Sequence, residues 1–99
     1  MSYQDFQTAG RRLGILRILQ RRNQFTSNEY SLNDELGGNY GHHVSKDTLH
    51  TDLAWLEEQG LVIVQQPRAG WIATLTSRGA DVAEGRAIVP GIARPQPGA

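Results

Sequence analysis

The sequence predicts an α+β fold in which three helices come first and a β-hairpin and a further helix follow. Two observations carry this prediction. Apolar residues recur at helical spacing over 45–59, and the run closes at a glycine. Two short runs rich in β-branched and aliphatic residues, 61–64 and 71–75, come directly afterwards, with a polar loop between them. At 99 residues the chain has room for one domain with one core.

The first helix is predicted over 8–22, with Thr8 as its N-cap and residues 1–7 as a short N-terminal lead. Its apolar residues cover a broad stripe: Leu13, Ile15, Leu16, Ile18 and Leu19. At about 100° per residue a second group falls together on the other side: Gly10, Gly14, Arg17 and Arg21. The two glycines make that side bare, so a second copy could approach closely. We therefore expect a homodimer with these four residues at its interface.

The second helix is predicted to be short, because the stretch 23–28 before it is polar and turn-rich and its end is weakened by glycines. Ser31 would cap this helix, and Leu32 and Leu36 would point inward. Residues 42–44 are interpreted as a turn. This turn would then lead from the second helix into the best-defined helix of the chain.

Ser45 is the predicted N-cap of this third helix, which runs to about Gln59. Gly60 follows at the position where a left-handed residue is usual. The core face is formed by three leucines spaced i, i+4 and i+7: Leu49, Leu53 and Leu56.

The runs 61–64 and 71–75 are predicted to pair as a hairpin, and Thr76 would cap a last helix that contains Val82 and Ala83. The domain proper would end at residue 86. From residue 87 onward the chain is rich in proline and glycine, and three prolines exclude a helix interior. We expect residues 87–99 to form an extended or disordered tail.

The segment 44–62 reads Val-Ser-Lys-Asp-Thr-Leu-His-Thr-Asp-Leu-Ala-Trp-Leu-Glu-Glu-Gln-Gly-Leu-Val. It resembles the third helix of winged-helix regulators of the ArsR, MarR and PadR kind, in which a serine caps the helix and Leu-Glu-Glu-x-Gly-Leu-Val leads into the wing. Leu-Thr-Ser-Arg-Gly at 75–79 resembles the Leu-Thr-x-x-Gly with which their final helix begins. Over 8–93 the chain is similar to small winged-helix proteins of Mu-like phages and prophages.

This resemblance implies a winged helix-turn-helix fold with three helices, a two-stranded hairpin wing and a C-terminal helix. It also implies duplex DNA binding and a role as a transcriptional regulator. The third helix would enter the major groove and the wing would contact the backbone. The candidate DNA-binding residues are Lys46, Thr48, His50, Thr51, Gln66 and Arg68. Lys46 and Arg68 suit phosphates, whereas Thr48, His50 and Thr51 suit base edges.

The distribution of charges leaves a second interpretation of the function open. Ten Lys and Arg balance ten Asp and Glu, so the domain lacks an overall positive field. Asp52 and Glu57 are expected on the flanks of the third helix, where acids oppose phosphate binding, and in the families named above the Asp52 position is often basic. The alternative is therefore a winged-helix module that docks onto another phage or host protein without binding DNA.

Other classes of function find little support in the sequence. No cysteine is present and no catalytic motif is recognised, so we expect neither an enzyme nor a cofactor. His42, His43 and His50 are accompanied by no cysteine and by no second carboxylate–histidine pair, so we expect no metal site. A polar turn and a groove-facing histidine explain them. The chain shows no secretory signal and no apolar run that could span a membrane, so we expect a cytoplasmic protein without a membrane partner.

Overall fold

The computed structural model describes residues 2–96, and these form four α-helices and a three-stranded antiparallel sheet. The predicted α+β class is confirmed. The elements, in chain order, are α1 (Tyr3–Gln20), β1 (Thr26–Asn28), α2 (Glu29–Tyr40), α3 (Lys46–Glu58), β2 (Val62–Gln65), β3 (Ile72–Leu75) and α4 (Ser77–Ala83). A short 3-10 turn, Asn23–Phe25, precedes β1. Within the described part of the chain, no helix combines the length and the apolar character needed to cross a membrane.

α1 begins five residues before the predicted position, at Tyr3 instead of Thr8. Ser2 is its N-cap, because the amide of Asp5 donates to Ser2 Oγ at 3.0 Å and the amide of Ser2 donates to Asp5 Oδ2 at 3.3 Å. This reciprocal pair is a capping box. The prediction of Thr8 as the cap was therefore wrong, and residues 3–7 are helical instead of an irregular lead.

α1 packs against α2, α4 and the sheet, and its apolar stripe lies at the centre of the core. The predicted inward residues of α2 and α3 are confirmed, since all of them are buried: Leu32, Leu36, Leu49, Leu53 and Leu56. Ser45 caps α3 as predicted, with the amide of Thr48 donating to Ser45 Oγ at 3.1 Å. Gly60 after α3 has a φ of 77°, as a left-handed helix end requires.

The sheet has one strand more than predicted. β2 and β3 pair as the expected hairpin, and β1 pairs with the other edge of β3, so that Thr26 lies opposite Thr74. The stretch predicted to be irregular thus contains a strand, whose polar residues give no apolar alternation. α2 begins directly after this strand, where Asn28 accepts from the amide of Ser31 at 2.8 Å. Asn28 is therefore the cap, and the prediction of Ser31 was wrong.

The segment expected to be a loose tail folds back onto α1. Val89 and Ile92 are buried in the core. The amide of Ala93 donates to the carbonyl oxygen of Ala9 at 3.1 Å. Proline excludes a helix here, but it does not prevent the apolar residues near the prolines from packing. The tail prediction was wrong for the part of the segment up to residue 96, and residues 97–99 lie outside the described residues.

Candidate nucleic-acid interface

The outward side of α3 carries small, polar and acidic side chains. The three core leucines fix the inward side of the helix, which leaves these residues exposed: Lys46, Asp47, Thr51, Ala54, Glu57 and Glu58. Thr48 is only half-exposed, and its hydroxyl accepts a hydrogen bond from Ser45 Oγ at 3.1 Å. Of the four candidates on this helix, Lys46 and Thr51 are therefore open to a ligand, and Thr48 is part of the helix cap.

His50 does not point outward. Its ring lies on the ring of Trp71 at the start of β3, with the ring centroids 3.7 Å apart and the planes 1° from parallel. Nε2 of His50 is 3.0 Å from Oε1 of Glu29, and only 19% of the side chain is exposed. The prediction that His50 faces a base edge is corrected, because the hairpin covers the imidazole.

Glu29 completes this arrangement, which we call the Glu29–His50–Trp71 cluster. Its carboxylate accepts from the amide of Trp71 at 2.5 Å, and its own amide donates to the carbonyl oxygen of Trp71 at 2.9 Å. Burial raises the pKa of Glu29, but the hydrogen bonds from Trp71 and His50 and the nearby positive charge outweigh burial and hold the pKa below its ordinary value. The cluster therefore ties α2, α3 and the base of the hairpin together.

Sequence reasoning missed Glu29. The three residues of the cluster come from three separate elements, and nothing in their local pattern links them. The one available signal was chemical. Glutamate, histidine and tryptophan side chains need hydrogen-bond or stacking partners when they are buried, and the sequence has one of each at the start of an element or on a helix.

The hairpin loop projects the remaining two candidates. Gln66 and Arg68 are both exposed, and the loop is closed by a hydrogen bond from the amide of Gly70 to the carbonyl oxygen of Pro67 at 3.1 Å. Gly70 has a φ of 136°, and a Cβ there would lie 2.7 Å from the ring of Tyr30. Glycine is required at this point because the loop rests directly on α2.

The two acids expected on the flanks of α3 have structural roles. Asp52 is buried and forms ion pairs with Arg11 and with Arg12, whose Nε is 3.3 Å from Oδ1. Glu57 accepts from the amide of Val64 at 2.8 Å and so covers part of the free edge of β2. The expectation that both acids oppose phosphates is corrected. Asp52 faces α1, and Glu57 faces the hairpin.

The bare side of α1 is covered by the chain itself. Gly14 is buried, and a Cβ there would lie 3.3 Å from both Leu36 and Tyr40 of α2. Gly10 faces His42, whose pKa is lowered by burial and by the charge of Arg11. The expected dimer contact at Gly14 is corrected, since α2 occupies the space that a second copy would need.

The arginines of α1 and the two that follow it, Arg21 and Arg22, also have partners within the chain. Arg21 and Arg22 both pair with Glu35, at 3.2 Å and 2.6 Å, and Arg17 is half-buried. The guanidinium of Arg12 lies 3.9 Å from the ring centroid of Trp55. Two acids, Asp52 and Glu35, thus balance part of the positive charge of these arginines. Within residues 2–96 no group of three or more His, Asp or Glu side chains could hold a metal ion.

These features define a small α+β protein in which an exposed helix and an exposed hairpin loop are joined through a buried cluster of three residues. The chain belongs to the family of gp26 of Escherichia phage Mu, an uncharacterized protein to which it is 50% identical over 93 residues, 94% of this chain and 95% of the relative. It is also 39% identical to an uncharacterized protein of Haemophilus influenzae over 79 residues, 79% of this chain and 76% of that protein. No family model and no solved structure matches the chain. The expected phage relationship is confirmed.

Proposed function

We propose that this chain is a winged-helix domain that binds duplex DNA through α3 and the β2–β3 loop, in transcription regulation or a related DNA transaction of a phage or prophage. The observation that carries the proposal is the Glu29–His50–Trp71 cluster. It fixes the hairpin against α3, so that Lys46 and Arg68 are carried on one rigid frame. Fixed relative positions are what a surface needs in order to contact a groove and the phosphates beside it.

The side chains of the outward surface suit a groove. A major groove accommodates an α-helix whose outward residues are small enough for the helix to approach the base edges, and α3 offers Thr51 and Ala54 there. None of the large exposed apolar residues belongs to α3 itself, although Tyr30 of α2 lines a hollow together with Lys46; the set is Tyr3, Phe6, Phe25, Tyr30, Ile63 and Ile88. A protein-docking surface would need such residues at its centre. This distribution favours DNA over a protein partner at α3.

The charges predict weak binding with few phosphate contacts. Lys46 and Arg68 are exposed bases, and Asp34 and Asp47 are exposed acids on neighbouring parts of α2 and α3. Because the whole chain has a net charge of zero, long-range attraction to DNA is small. The logarithm of the binding constant should therefore fall gently with the logarithm of salt concentration, with a slope of about −0.9 for each phosphate contacted.

Fluorescence anisotropy with a pool of random duplexes at two salt concentrations tests the proposal. We expect Lys46→Gln and Arg68→Gln each to weaken binding to all sequences and to reduce the salt slope by about one. Arg86→Gln is the matched control, since it removes the same charge from an exposed residue after α4. A folded protein that binds no duplex at low salt, or equal losses in all three variants, would overturn the proposal.

A further inference from the structure

The first two turns of α1 form a helix with little burial of their own. Tyr3 and Phe6 are 77% and 63% exposed. The capping box of Ser2 and Asp5 keeps these turns helical, and so does a hydrogen bond from Gln7 Nε2 to the hydroxyl of Tyr3 at 2.8 Å. Short helical segments without packing are marginal in water. The sequence thus holds two exposed aromatic rings in a preformed geometry, which lowers the entropy lost when they dock.

An apolar groove lies directly beside Phe6. One wall is α1 and the other is the returning chain, and the lining residues are Phe6, Ala9, Gly91, Ile92, Ala93, Arg94 and Gln96. The returning chain is held in place, because Arg12 Nη1 donates to the carbonyl oxygen of Gly91 at 3.3 Å. A neighbouring hollow shares Ile92, Ala93 and Arg94 and is also lined by Ile88, which is 62% exposed. The two hollows therefore adjoin, and the surface from Phe6 to Ile88 is lined by apolar residues together with Arg94 and Gln96.

This surface is complementary to itself. It carries both a projecting ring, Phe6, and a groove of apolar lining that a ring could enter. One exposed base, Arg94, lines the groove, and one exposed acid, Asp5, precedes Phe6 on α1. In a twofold arrangement each feature of the surface meets the surface of the other copy, so that ring can meet groove and acid can meet base. A nucleic acid would need an excess of positive charge here, and the balance of one acid and one base does not supply it.

We infer that two copies of this chain associate through the surface formed by Tyr3, Phe6, Ile88 and the groove, which we call the α1–tail surface. Hot spots of protein interfaces are large side chains that become fully buried in pockets of the partner. Phe6 is a large, exposed side chain that could be buried in this way. The interface differs from the glycine side of α1, which α2 covers. The inference does not depend on DNA binding, and a dimer would carry two copies of α3.

Sedimentation velocity of the full chain from low to high micromolar concentration tests this inference. We expect a reversible dimer, and we expect Phe6→Ser and Ile88→Ser each to raise its dissociation constant by about tenfold or more. The structure offers matched controls on another surface, since Phe25 and Ile63 are also at least half-exposed. Phe25→Ser and Ile63→Ser should leave the dissociation constant unchanged. Circular dichroism would establish that all four variants fold.

A wild-type chain that stays monomeric at high micromolar concentration would overturn the inference. This holds even if the same surface then proves to bind a different phage protein. A dimer whose dissociation constant is unaffected by both Phe6→Ser and Ile88→Ser in folded protein would also overturn it. Loss of the dimer with unchanged DNA affinity per chain would support the inference, and it would leave the proposed function to be judged by its own test.

Discussion

The imidazole of His50 lies flat on the indole of Trp71, with 3.7 Å between the ring centroids. This stack joins the middle of α3 to the root of the hairpin. The buried carboxylate of Glu29 contacts both partners, through Nε2 of His50 and the backbone amide of Trp71. One ionised carboxylate and one ring contact thus join the root of the hairpin to α3, in addition to the hydrogen bond between Glu57 and Val64.

The first prediction concerns the acid stability of this cluster. The pKa of Glu29 lies below its ordinary value of 4.5, so the folded state binds a proton less readily than the unfolded state. Glu29 therefore contributes stability at pH values above about 4.5, and this contribution is lost as the pH falls through the lower pKa of the folded state. Urea unfolding at a series of pH values should show this loss in the wild type.

Glu29→Gln should be less stable than the wild type at neutral pH and should show a flatter dependence below pH about 4.5. Glu58→Gln is the control, because Glu58 is exposed on α3. If Glu29→Gln and the wild type lose stability in parallel as the pH falls, the carboxylate does not have the role assigned to it.

The second prediction concerns Asp52, the buried acid that holds Arg11 and Arg12. Asp52→Asn keeps the shape of the side chain but leaves two guanidinium groups, each less than one-fifth exposed, without their counter-charge. Removing one partner of a buried ion pair costs about 3 kcal/mol or more. Thermal or urea unfolding should show a loss of that order. Asp34→Asn, at an exposed site, should change the free energy of unfolding by less than about 0.5 kcal/mol. Similar small changes in both variants would contradict the assignment.

Asp52 also shows how far the sequence can be interpreted. Helical spacing identified the three core leucines of α3, because periodicity depends only on neighbours along the chain. Asp52 comes three residues after Leu49 and four before Leu56, which places it on the same inward stripe. An acid there requires basic partners, and the first helix holds arginines with no acid nearby in sequence. The signal existed, but the pairing joins residues about forty positions apart and local pattern does not show it.

The two ends of the chain were misjudged for a different reason. Proline content indicates what a segment cannot be, and it led to the expectation of a loose tail. The apolar residues Val89 and Ile92 decide where the segment lies, because the core has room for them. At the other end Ser2 and Asp5 form a capping box that the sequence displays. Thr8 stands closer to the apolar stripe of the helix, but the side chain of Ser2 accepts the capping hydrogen bond.

The third prediction gives a physical reason for the glycine in Leu-Thr-Ser-Arg-Gly. A Cβ on Gly79 would lie 2.1 Å from the carbonyl oxygen of Leu61. That oxygen cannot move away easily, since it accepts from the amide of Thr76 at 3.1 Å. Gly79→Ala should therefore force α4 away from the end of α3 and destabilise the fold by about 1 to 3 kcal/mol.

Gly38 supplies the control for this experiment. It lies within α2, is exposed, and a Cβ there would meet nothing within 4 Å. Gly38→Ala should stabilise the fold by up to about 1 kcal/mol, because alanine is the better helix former. The same substitution should thus have opposite signs at the two positions in urea unfolding. A Gly79→Ala variant as stable as the wild type would show that α4 is not held this closely.

The last prediction separates base reading from phosphate binding on α3. Thr51 is exposed, and its hydroxyl donates to the carbonyl oxygen of Asp47 at 3.0 Å, so its oxygen is held in one orientation with lone pairs left to accept. Such an oxygen can accept from the amino group of adenine or cytosine in the major groove. Selection of duplexes from a random pool should then reveal a base preference of the protein at one position of the site. In Thr51→Val this preference should change by about 1 to 3 kcal/mol. Valine keeps the shape and removes the acceptor. Lys46→Gln should instead weaken binding to all of the selected sequences alike, and an unchanged preference in Thr51→Val would assign Thr51 no part in reading the bases.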